Sequence, residues 1–344
     1  MGRKTIIVVR LVALTIAPVH LAEVQQSKKV AHIGLLSNGS LSLIAPLTDA
    51  LVRMTLSAVP AYAQEEVSSS TAQNLVQPQI LKISLRGAGM FGGDVAMVTH
   101  LYKPQGDGPF PVVVFSHGRA PEISDRLNLK YPVGVGHGNL WLRKGFAVVA
   151  PVRAGYGESE GTDHEDAGSK WRRGQCIGEP DFLYLANVAG EAVLATLDWV
   201  SAQPWANKEK ILLEGVSVGG LTSAAIAAKG PPGLVGYINF SGGAGGSPRE
   251  SPGKSCKPEN LSKVFAEFGK TTRVPSLWLY AENDLYWGPD APKEWHKAFS
   301  AGGSKTKFVM TPPVPGTDDG HRLLAVGGKL WSPHVNSFVK ELGF

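Results

Sequence analysis

From residue 79 onward, short apolar runs alternate with segments of helical pattern, and this alternation limits the possible folds more than any other feature. The runs 111–116 and 145–151 are continuously apolar, as expected for strands that are covered on both faces. The segment 181–203 has one apolar helical face, a plausible N-cap in Asp181 and a stop at Pro204. Strands joined by helices pair in parallel through right-handed crossovers. The sequence therefore predicts a three-layer α/β fold, a mostly parallel central sheet with helices on both faces.

The other predicted elements continue this alternation. Strands are predicted at 80–85, 95–102, 210–214, 234–240, 276–280 and 307–310, and helices at 221–229, 261–268, 292–299 and 335–342. Two long insertions, 122–140 and 157–178, follow strands, and long loops in that position often cover a ligand pocket. The second insertion carries Arg172 and Arg173, which we interpret as solvated charge; the alternative is a preference for an acidic substrate.

The first 75 residues are predicted to lie outside the folded domain, which we assign to residues 76–344. The chain starts with charged and then apolar residues, and Ala61-Tyr62-Ala63 forms an A-x-A site of the kind at which signal segments are cleaved. A polar low-complexity linker follows at 68–74. These features predict an exported protein, periplasmic or secreted. The alternative is a cytoplasmic protein with an N-terminal extension that has no export role.

The charge pattern bears on the class of partner. The net charge is +5, yet no Lys/Arg run exceeds three residues, so we interpret the charge as a solvated basic surface and expect no nucleic-acid partner. No apolar stretch of about 18 residues is free of charge, which excludes a multi-pass membrane protein and predicts no stable membrane insertion. The sequence leaves the oligomeric state open.

The strongest local motif is Gly215-Val216-Ser217-Val218-Gly219, which lies between the predicted strand at 210–214 and the helix that follows it. A serine at such a junction sits on a sharp turn that lifts its hydroxyl clear of the sheet. The flanking glycines are needed because side chains at those positions would collide with the neighbouring strand and helix. Ser217 is therefore the candidate nucleophile.

A serine nucleophile needs a base, and the base needs a carboxylate to orient it. In this architecture the three residues follow in the order Ser, Asp/Glu, His. His321 is the only histidine after Ser217 in a loop that follows a predicted strand, and Asp284 follows the strand at 276–280. We prefer Asp284 to Glu282, which lies nearer the strand end, and to Asp290, which lies further along the chain.

Two backbone N–H groups are candidates for an oxyanion hole. The N–H of Val218 lies at the start of the helix after the nucleophile, where it is directed at an oxyanion. The second donor comes from the loop after the first central strand, in which Gly118 permits close approach and Arg119 carries the candidate N–H. His117 in the same loop is interpreted as structural.

Two further groups of residues invite a metal or disulfide interpretation. Cys176 and Cys256 are the only cysteines, and they do not have a metal-type spacing. In an exported protein they can pair, whereas in the cytosol two free buried thiols are expected. The cluster 163–166 contains three carboxylates and a histidine, but adjacent loop residues seldom converge on one ion, so we expect no metal site.

The runs 196–205 and 210–220 resemble the α/β-hydrolase superfamily, and within it the dienelactone hydrolases and the prolyl-oligopeptidase-like and acyl-esterase branches. The block Val114-Phe115-Ser116-His117-Gly118 and the block 150–159 match two further superfamily patterns. The resemblance spans residues 78–344. In one respect the chain departs from it: dienelactone hydrolases carry a cysteine as nucleophile, and this chain has Ser217 in that place, which favours a serine esterase.

The resemblance implies acyl transfer to water without a metal or organic cofactor. Ser217 would attack the carbonyl of a small-molecule ester or lactone, His321 would act as general base and then acid, and Asp284 would orient the imidazole. A peptidase or amidase of the prolyl-oligopeptidase-like type and a non-catalytic binding protein on a hydrolase scaffold remain as alternatives. The sequence does not identify the acyl or the alcohol part of a substrate.

Overall fold

The computed structural model describes residues 75–344. The first strand begins at Gln79, shortly after the predicted start of the domain at residue 76. The apolar start, the A-x-A site at 61–63 and the linker at 68–74 lie outside the described residues. The predicted domain boundary and the predicted leader therefore stay predictions.

An eight-stranded sheet forms the centre of the domain. Its strands lie in the order β1-β2-β4-β3-β7-β8-β11-β12, with β1, β2 and β4 paired antiparallel and the pairs from β4 to β12 parallel. The prediction of a mostly parallel sheet is confirmed. The strands, with those of two small hairpins, are β1 (Gln79–Leu85), β2 (Val95–Tyr102), β3 (Phe110–Ser116), β4 (Ala147–Pro151), β5 (Trp171–Arg172), β6 (Gln175–Cys176), β7 (Ala206–Val216), β8 (Leu234–Phe240), β9 (Gly246–Ser247), β10 (Ser251–Ser255), β11 (Ser276–Ala281) and β12 (Thr306–Thr311).

Helices cover both faces of the sheet. Alternate residues of β3 enter two different cores, since Val112 and Val114 pack with α3 to α6 while Val113 and Phe115 pack with α2 and α8. This arrangement confirms the three predicted layers. The helices are α1 (Ile123–Leu127), α2 (Val135–Arg143), α3 (Phe182–Ser201), α4 (Val218–Lys229), α5 (Pro258–Thr271), α6 (Asp290–Ser300), α7 (Leu323–Val326) and α8 (Gly328–Glu341).

The insertion at 122–140 is more ordered than the sequence predicts. It contains α1 and the start of α2, because Trp141 is fully buried and anchors α2 on the sheet. Glycines at 134, 136 and 138 hide the helical pattern, since glycine has poor helix propensity. Gly138 has a packing reason: a Cβ there would come within 2.8 Å of the Tyr102 ring on β2.

The ends of other elements also differ from the prediction. Helix α3 keeps its predicted start, because Oδ1 of Asp181 accepts a hydrogen bond from the N–H of Tyr184 at 2.8 Å. Helix α4 begins at Val218 rather than residue 221, directly after the serine of the motif. The hairpins β5–β6 and β9–β10 are missed by sequence reasoning because their strands are very short. Within residues 75–344, no helix is long and apolar enough to cross a membrane.

Candidate active site

Ser217 occupies the turn between β7 and α4. Its backbone has φ 57° and ψ −124°, a conformation that residues with side chains rarely adopt. Two hydrogen bonds hold the turn: the N–H of Ser217 donates to the carbonyl of Phe240 at 2.9 Å, and the N–H of Gly243 donates to the carbonyl of Ser217 at 3.1 Å. The carboxyl end of β8 therefore fixes the strained turn. Backbone strain that is held by surrounding structure in this way is typical of functional sites.

Glycines around Ser217 are required by close backbone approach. A Cβ on Gly215 would overlap the carbonyl of Gly219, and a Cβ on Gly219 would overlap the carbonyl of Ser116. These overlaps are the collisions with the neighbouring helix and strand that the motif predicts. Gly118 comes close to the serine itself, since a Cβ there would lie 3.2 Å from the Cβ of Ser217. The loop after β3 is thus pressed against the candidate nucleophile.

Both candidate oxyanion donors lie beside Ser217. Val218 is the first residue of α4, so its N–H has no partner within the helix. Among residues 75–344, no acceptor is hydrogen-bonded to the N–H of Val218 or of Arg119. Arg119, Ser217 and Val218 line the same cavity. Two free backbone donors next to a serine hydroxyl form a site that can stabilise a developing negative charge.

Asp284 and His321 meet above the ends of β11 and β12. The Nδ1–H of His321 donates to Oδ2 of Asp284 at 2.9 Å, and Asp284 is only 2% exposed. The other oxygen, Oδ1, accepts the N–H groups of Tyr286 at 2.7 Å and Trp287 at 3.2 Å. Because Asp284 fixes the proton on Nδ1, the Nε2 atom of neutral His321 is left as the proton acceptor.

The two alternative acids do not take this place. Glu282 is exposed, and its backbone N–H donates to the carbonyl of Thr311 at 3.1 Å. Asp290 begins α6 and lies 3.4 Å from Nζ of Lys293 in an exposed pair. Within the described chain, neither side chain makes a hydrogen bond to His321. The structure therefore brings Asp284, and neither alternative, to the imidazole.

Aromatic rings hold His321 on two sides. Tyr286 stacks on the imidazole with 4.0 Å between ring centres, and Trp287 meets it edge-on at 5.1 Å. Trp287 is itself anchored, because its Nε1–H donates to the carbonyl of Ser241 at 2.9 Å. The rings restrict the imidazole to small movements about the Asp284 hydrogen bond.

Sequence reasoning missed Asp319 as a positioning residue. Its Oδ1 accepts the N–H of His321 at 2.9 Å and the N–H of Leu285 at 3.1 Å. One carboxylate oxygen therefore joins the loop that carries His321 to the loop that carries Asp284. In the structure Asp319 is the N-cap of the short 3₁₀ turn at Gly320–Arg322. The available sequence signal was an aspartate two residues before the candidate histidine.

The serine and the histidine face two different cavities. Cavity A, of about 390 Å³, is lined among others by Arg119, Trp171, Ser217, Val218, Tyr286 and Trp287. Cavity B, of about 440 Å³, is lined among others by Phe115, Val133, His137, Leu140, His321 and Trp331. Within residues 75–344, no hydrogen bond joins Oγ of Ser217 to His321. Hydrogen bonds of this kind are often long in unliganded structures and tighten when substrate binds.

A buried ion pair supports the loop after β3. Arg153 is 2% exposed, and it donates to the carbonyl oxygens of His117 at 2.6 Å and Gly118 at 3.2 Å. Its charge is balanced by Glu165, which is 3% exposed and lies 2.5 Å from Nε. The guanidinium thereby fixes the carbonyls of the loop that presents the candidate oxyanion donor.

His117 has the structural role that the sequence predicts. Its Nδ1–H donates to the carbonyl of Gly118 at 2.7 Å, and its Nε2 accepts the N–H of Arg153 at 3.1 Å. Burial, with the nearby Arg153 charge, lowers the pKa of His117 well below its usual value. The ring is therefore neutral and serves as a fixed link between two loops.

A second set of charges connects the insertion at 157–178 to the same loop. Asp163 lies 2.7 Å from Nη1 of Arg119 and 2.9 Å from Nε of Arg126. Burial alone would raise the pKa of Asp163, but the hydrogen bond from Arg119 and the two positive charges lower it. Both carboxylates of the cluster at 163–166 that would best suit a metal ion, Asp163 and Glu165, are thus already paired with arginine side chains. Residues 75–344 contain no group of side chains suited to a metal ion.

A disulfide fixes one wall of cavity A. Cys176 and Cys256 are bonded, with their Cα atoms 5.2 Å apart, so the hairpin β5–β6 is tied to the segment that leads into α5. Trp171 on this hairpin lines cavity A, and its Nε1–H donates to the carbonyl of Gly245 at 3.0 Å. Arg172 and Arg173 are exposed, as expected for solvated charge.

One protein-family model matches part of this chain. The model of the S15 family of X-Pro dipeptidyl-peptidases matches residues 92–251, somewhat less than half of the chain. No curated protein matches the chain.

Solved structures with the same fold include both peptidases and esterases. The Pyrococcus horikoshii acylaminoacyl peptidase is 16% identical, with a TM-score of 0.51 over 78% of this chain and 42% of that chain. The Pyrococcus furiosus esterase Pf2001 is 13% identical, with a TM-score of 0.51 over 79% of this chain and 93% of that chain. Est1E from Butyrivibrio proteoclasticus, solved with ferulic acid bound, is 18% identical, with a TM-score of 0.51 over 76% and 98%. This chain therefore spans less than half the length of the acylaminoacyl peptidase.

These matches confirm the predicted fold and the resemblance that the sequence motifs indicate. At such low identity the solved structures show the fold alone. Together with the family model, they support a hydrolase and do not distinguish an ester from a peptide substrate.

Proposed function

We propose that this chain, which has the fold of the α/β-hydrolase superfamily, is a serine hydrolase that cleaves a carboxylic ester or lactone through an acyl-enzyme on Ser217. The observation that carries the proposal is the strained turn of Ser217 beside two N–H donors, those of Val218 and Arg119, that have no acceptor within residues 75–344. The 2.9 Å pair of His321 and Asp284 supports it, because that pair supplies an oriented base.

In the proposed acylation step, Nε2 of His321 removes the proton of the Ser217 hydroxyl as Oγ attacks the ester carbonyl. The carbonyl oxygen becomes an oxyanion and accepts the N–H groups of Val218 and Arg119. Asp284 stabilises the imidazolium that forms. His321 then donates its proton to the leaving alcohol, and the C–O bond breaks.

In the proposed deacylation step, water takes the place of the alcohol. His321 removes a proton from the water, which attacks the acyl carbonyl and regenerates the tetrahedral oxyanion at Val218 and Arg119. Collapse of this intermediate releases the acid and returns the proton to Ser217. All protein groups in both steps belong to this chain, the other reactants are the ester and water, and no metal or organic cofactor enters the proposal.

Labelling with a fluorophosphonate tests the nucleophile directly. We expect one label on the peptide that contains Ser217 and no label in Ser217→Ala, while the control Ser262→Ala on α5 keeps the label. The same proteins are then assayed on short-chain esters, which we expect wild type and Ser262→Ala to hydrolyse. Absence of both labelling and turnover would contradict the proposal and favour a binding protein on a hydrolase scaffold.

A peptidase is the second candidate, and the match to the S15 family model favours it. Esters and amides share the same acyl-enzyme, so the substrate bond decides between the two candidates. We propose a side-by-side assay of one acyl group carried as an ester and as an anilide, with an Xaa-Pro anilide included. Higher kcat/KM for the Xaa-Pro anilide than for simple esters would favour the peptidase.

We also propose that the protein is exported. The proposal is supported by the A-x-A site at 61–63 and by the bonded pair Cys176 and Cys256, since structural disulfides persist in oxidising compartments. Fractionation of cells that express the full chain tests it. Full-length protein in the cytosol with an intact N-terminus and two free thiols would contradict it.

A further inference from the structure

We propose that cavity B binds the alcohol portion of the ester, and that it is built for an aromatic alcohol that carries a hydroxyl group. This inference rests on the proposed function and adds the substrate class to it. Four observations carry it: the position of His321, the mainly apolar walls, three lining glycines, and the pair formed by His137 and Glu214.

The position of His321 assigns the cavity to the leaving group. The oxyanion donors Val218 and Arg119 line cavity A together with Ser217, so the acyl group, whose carbonyl they bind, lies on that side. The imidazole must donate a proton to the departing oxygen, which therefore lies on the side of His321. His321 lines cavity B, and so does Val216, the residue before the nucleophile. The alcohol that leaves the tetrahedral carbon thus departs toward cavity B.

The walls of cavity B suit an aromatic ring. They are mainly aliphatic and aromatic and include Val133, Leu140, Phe115 and Trp331. The volume of about 440 Å³ exceeds what a methyl or ethyl group would fill. Burying a ring in such a site removes apolar surface from water, which favours binding.

Three of the residues that line cavity B are glycines with open space where a Cβ would lie. Most glycines in the described chain have positive φ or lie where a Cβ would contact a neighbour. Gly134, Gly136 and Gly328 have neither restriction, since a Cβ on them would meet nothing within 4 Å. All three line cavity B. No backbone strain or local packing accounts for these glycines, whereas the room needed by a bulky ligand does.

His137, which lines cavity B, is paired with a buried carboxylate. Glu214 is fully buried on β7, and its Oε2 accepts the Nε2–H of His137 at 2.8 Å. The Nε1–H of Trp141 lies 2.8 Å from the same oxygen and 3.2 Å from Nε2 of His137. Its other oxygen, Oε1, is buried and has no hydrogen-bond partner within residues 75–344. Because an ionised carboxylate can only accept, and because the shorter contact of the Trp141 N–H is to Oε2, we assign the proton of the imidazole to Nε2. The proposed ester mechanism uses neither residue.

This arrangement leaves one atom of His137 for a ligand. In the uncharged form of the ring with its proton on Nε2, Nδ1 is a hydrogen-bond acceptor. His137 lines cavity B, and no residue of the described chain is hydrogen-bonded to Nδ1. An acceptor in a mainly apolar wall selects for a donor on the ligand, and a phenolic hydroxyl on the aromatic ring supplies one.

Three esters that share the butyryl group and differ in the alcohol test the assignment of cavity B: ethyl, phenethyl and para-hydroxyphenethyl butyrate. For wild type we expect kcat/KM to rise about 10- to 100-fold from ethyl to phenethyl, which is the effect of burying the ring. We expect a further rise of about 5- to 10-fold for the hydroxylated ester, the effect of one hydrogen bond.

Two variants fill the cavity without disturbing the backbone. Gly136→Leu and Gly328→Leu each place a side chain where the structure leaves open space. We expect them to lower the phenethyl-to-ethyl ratio of kcat/KM at least 10-fold. The control Ala202→Leu adds the same side chain at an exposed position after α3, outside both cavities, and should leave the ratio unchanged.

His137→Leu tests the polar contact. We expect it to abolish the preference for the hydroxylated ester over phenethyl butyrate, while His296→Leu on α6 keeps that preference. Since the substitution leaves Glu214 buried without the histidine, His137→Leu/Glu214→Leu is the second variant should the first fail to fold.

The outcomes separate this inference from the proposed function. Hydrolysis of ethyl butyrate that requires Ser217, without a gain for phenethyl butyrate, would overturn the assignment of cavity B and leave the hydrolase proposal standing. An unchanged ratio in both glycine variants would also overturn it. Failure of wild type to hydrolyse any of the three esters would overturn the proposed function, and this assignment with it.

Discussion

The carboxylate of Asp284 and the imidazole of His321 meet at 2.9 Å although 37 positions separate them in the chain. They meet because β11 and β12 are parallel neighbours, so the loops after both strands emerge at the same edge of the sheet. Oδ1 of Asp284 is already bonded to two backbone N–H groups, which directs Oδ2 at Nδ1 of His321. The backbone of one loop thereby sets the proton position on a ring of the other.

Asp284→Asn should lower ester kcat/KM by about 10³- to 10⁴-fold, the usual cost of losing the carboxylate that orients a catalytic histidine. The amide would keep the shape of the site but would remove the negative charge and allow the opposite tautomer of His321. Steady-state kinetics on a short-chain ester checks the result. Glu282→Gln is the matched control because its carboxyl is exposed nearby, and a loss of equal size there would contradict the assignment of Asp284.

The location of this site followed from local signals in the sequence. The strands at 95–102 and 234–240 were predicted with the bounds that the structure shows, because glycine-rich turns and apolar runs delimit them. Ser217, Asp284 and His321 each follow a predicted parallel strand. Since parallel strands present their carboxyl ends at one edge, sequence order predicts all three residues at that edge. The structure joins two of them, Asp284 and His321, by a hydrogen bond.

Features that depend on distant contacts were not predictable in the same way. Helix α2 owes its stability to the burial of Trp141, while its own glycines argue against a helix. In the sequence Arg153 belongs to the block 150–159 and Glu165 to the cluster 163–166, and only the folded chain brings them together beside the carbonyls of His117 and Gly118. The pair of His137 and Glu214 joins residues 77 positions apart and has no motif. In each case the determining interaction lies outside any local window of sequence.

The stability of the protein should fall on acidification from about pH 7 to pH 5. Burial lowers the pKa of His117, His100 and His296, so each is neutral when folded and takes up a proton on unfolding below its ordinary pKa. In that range the unfolded state binds more protons, and the free energy of unfolding rises with pH. Urea unfolding at a series of pH values measures the slope.

The variant His117→Asn should reduce this slope, because it removes the histidine with the most strongly lowered pKa among the three. The exposed His334 provides the control, and His334→Asn should leave the slope as in wild type. Equal slopes in His117→Asn and wild type would show that His117 makes no contribution to the acid sensitivity.

Removal of the disulfide should lower the free energy of unfolding by about 2–4 kcal/mol, somewhat below the chain-entropy value for a bridge between residues 80 positions apart. We expect Cys176→Ser/Cys256→Ser to show this loss in urea unfolding, and dithiothreitol to cause it in wild type. Because the bridge anchors the hairpin of Trp171, the double variant should also raise KM for esters with a bulky acyl group. Insensitivity of wild type to dithiothreitol would contradict a stabilising bridge.

Breaking the buried ion pair of Arg153 should lower the free energy of unfolding more than neutralising an exposed carboxylate does. Glu165→Gln leaves the guanidinium without a counter-charge beneath the loop of Gly118 and Arg119, and we expect a loss of about 3–5 kcal/mol in the free energy of unfolding. Since Arg153 holds the carbonyl of Gly118, the loop that presents the Arg119 N–H should also shift, and kcat should fall more than KM changes. Glu250→Gln, at an exposed position, is the control; comparable losses in both variants would refute a special role for Glu165.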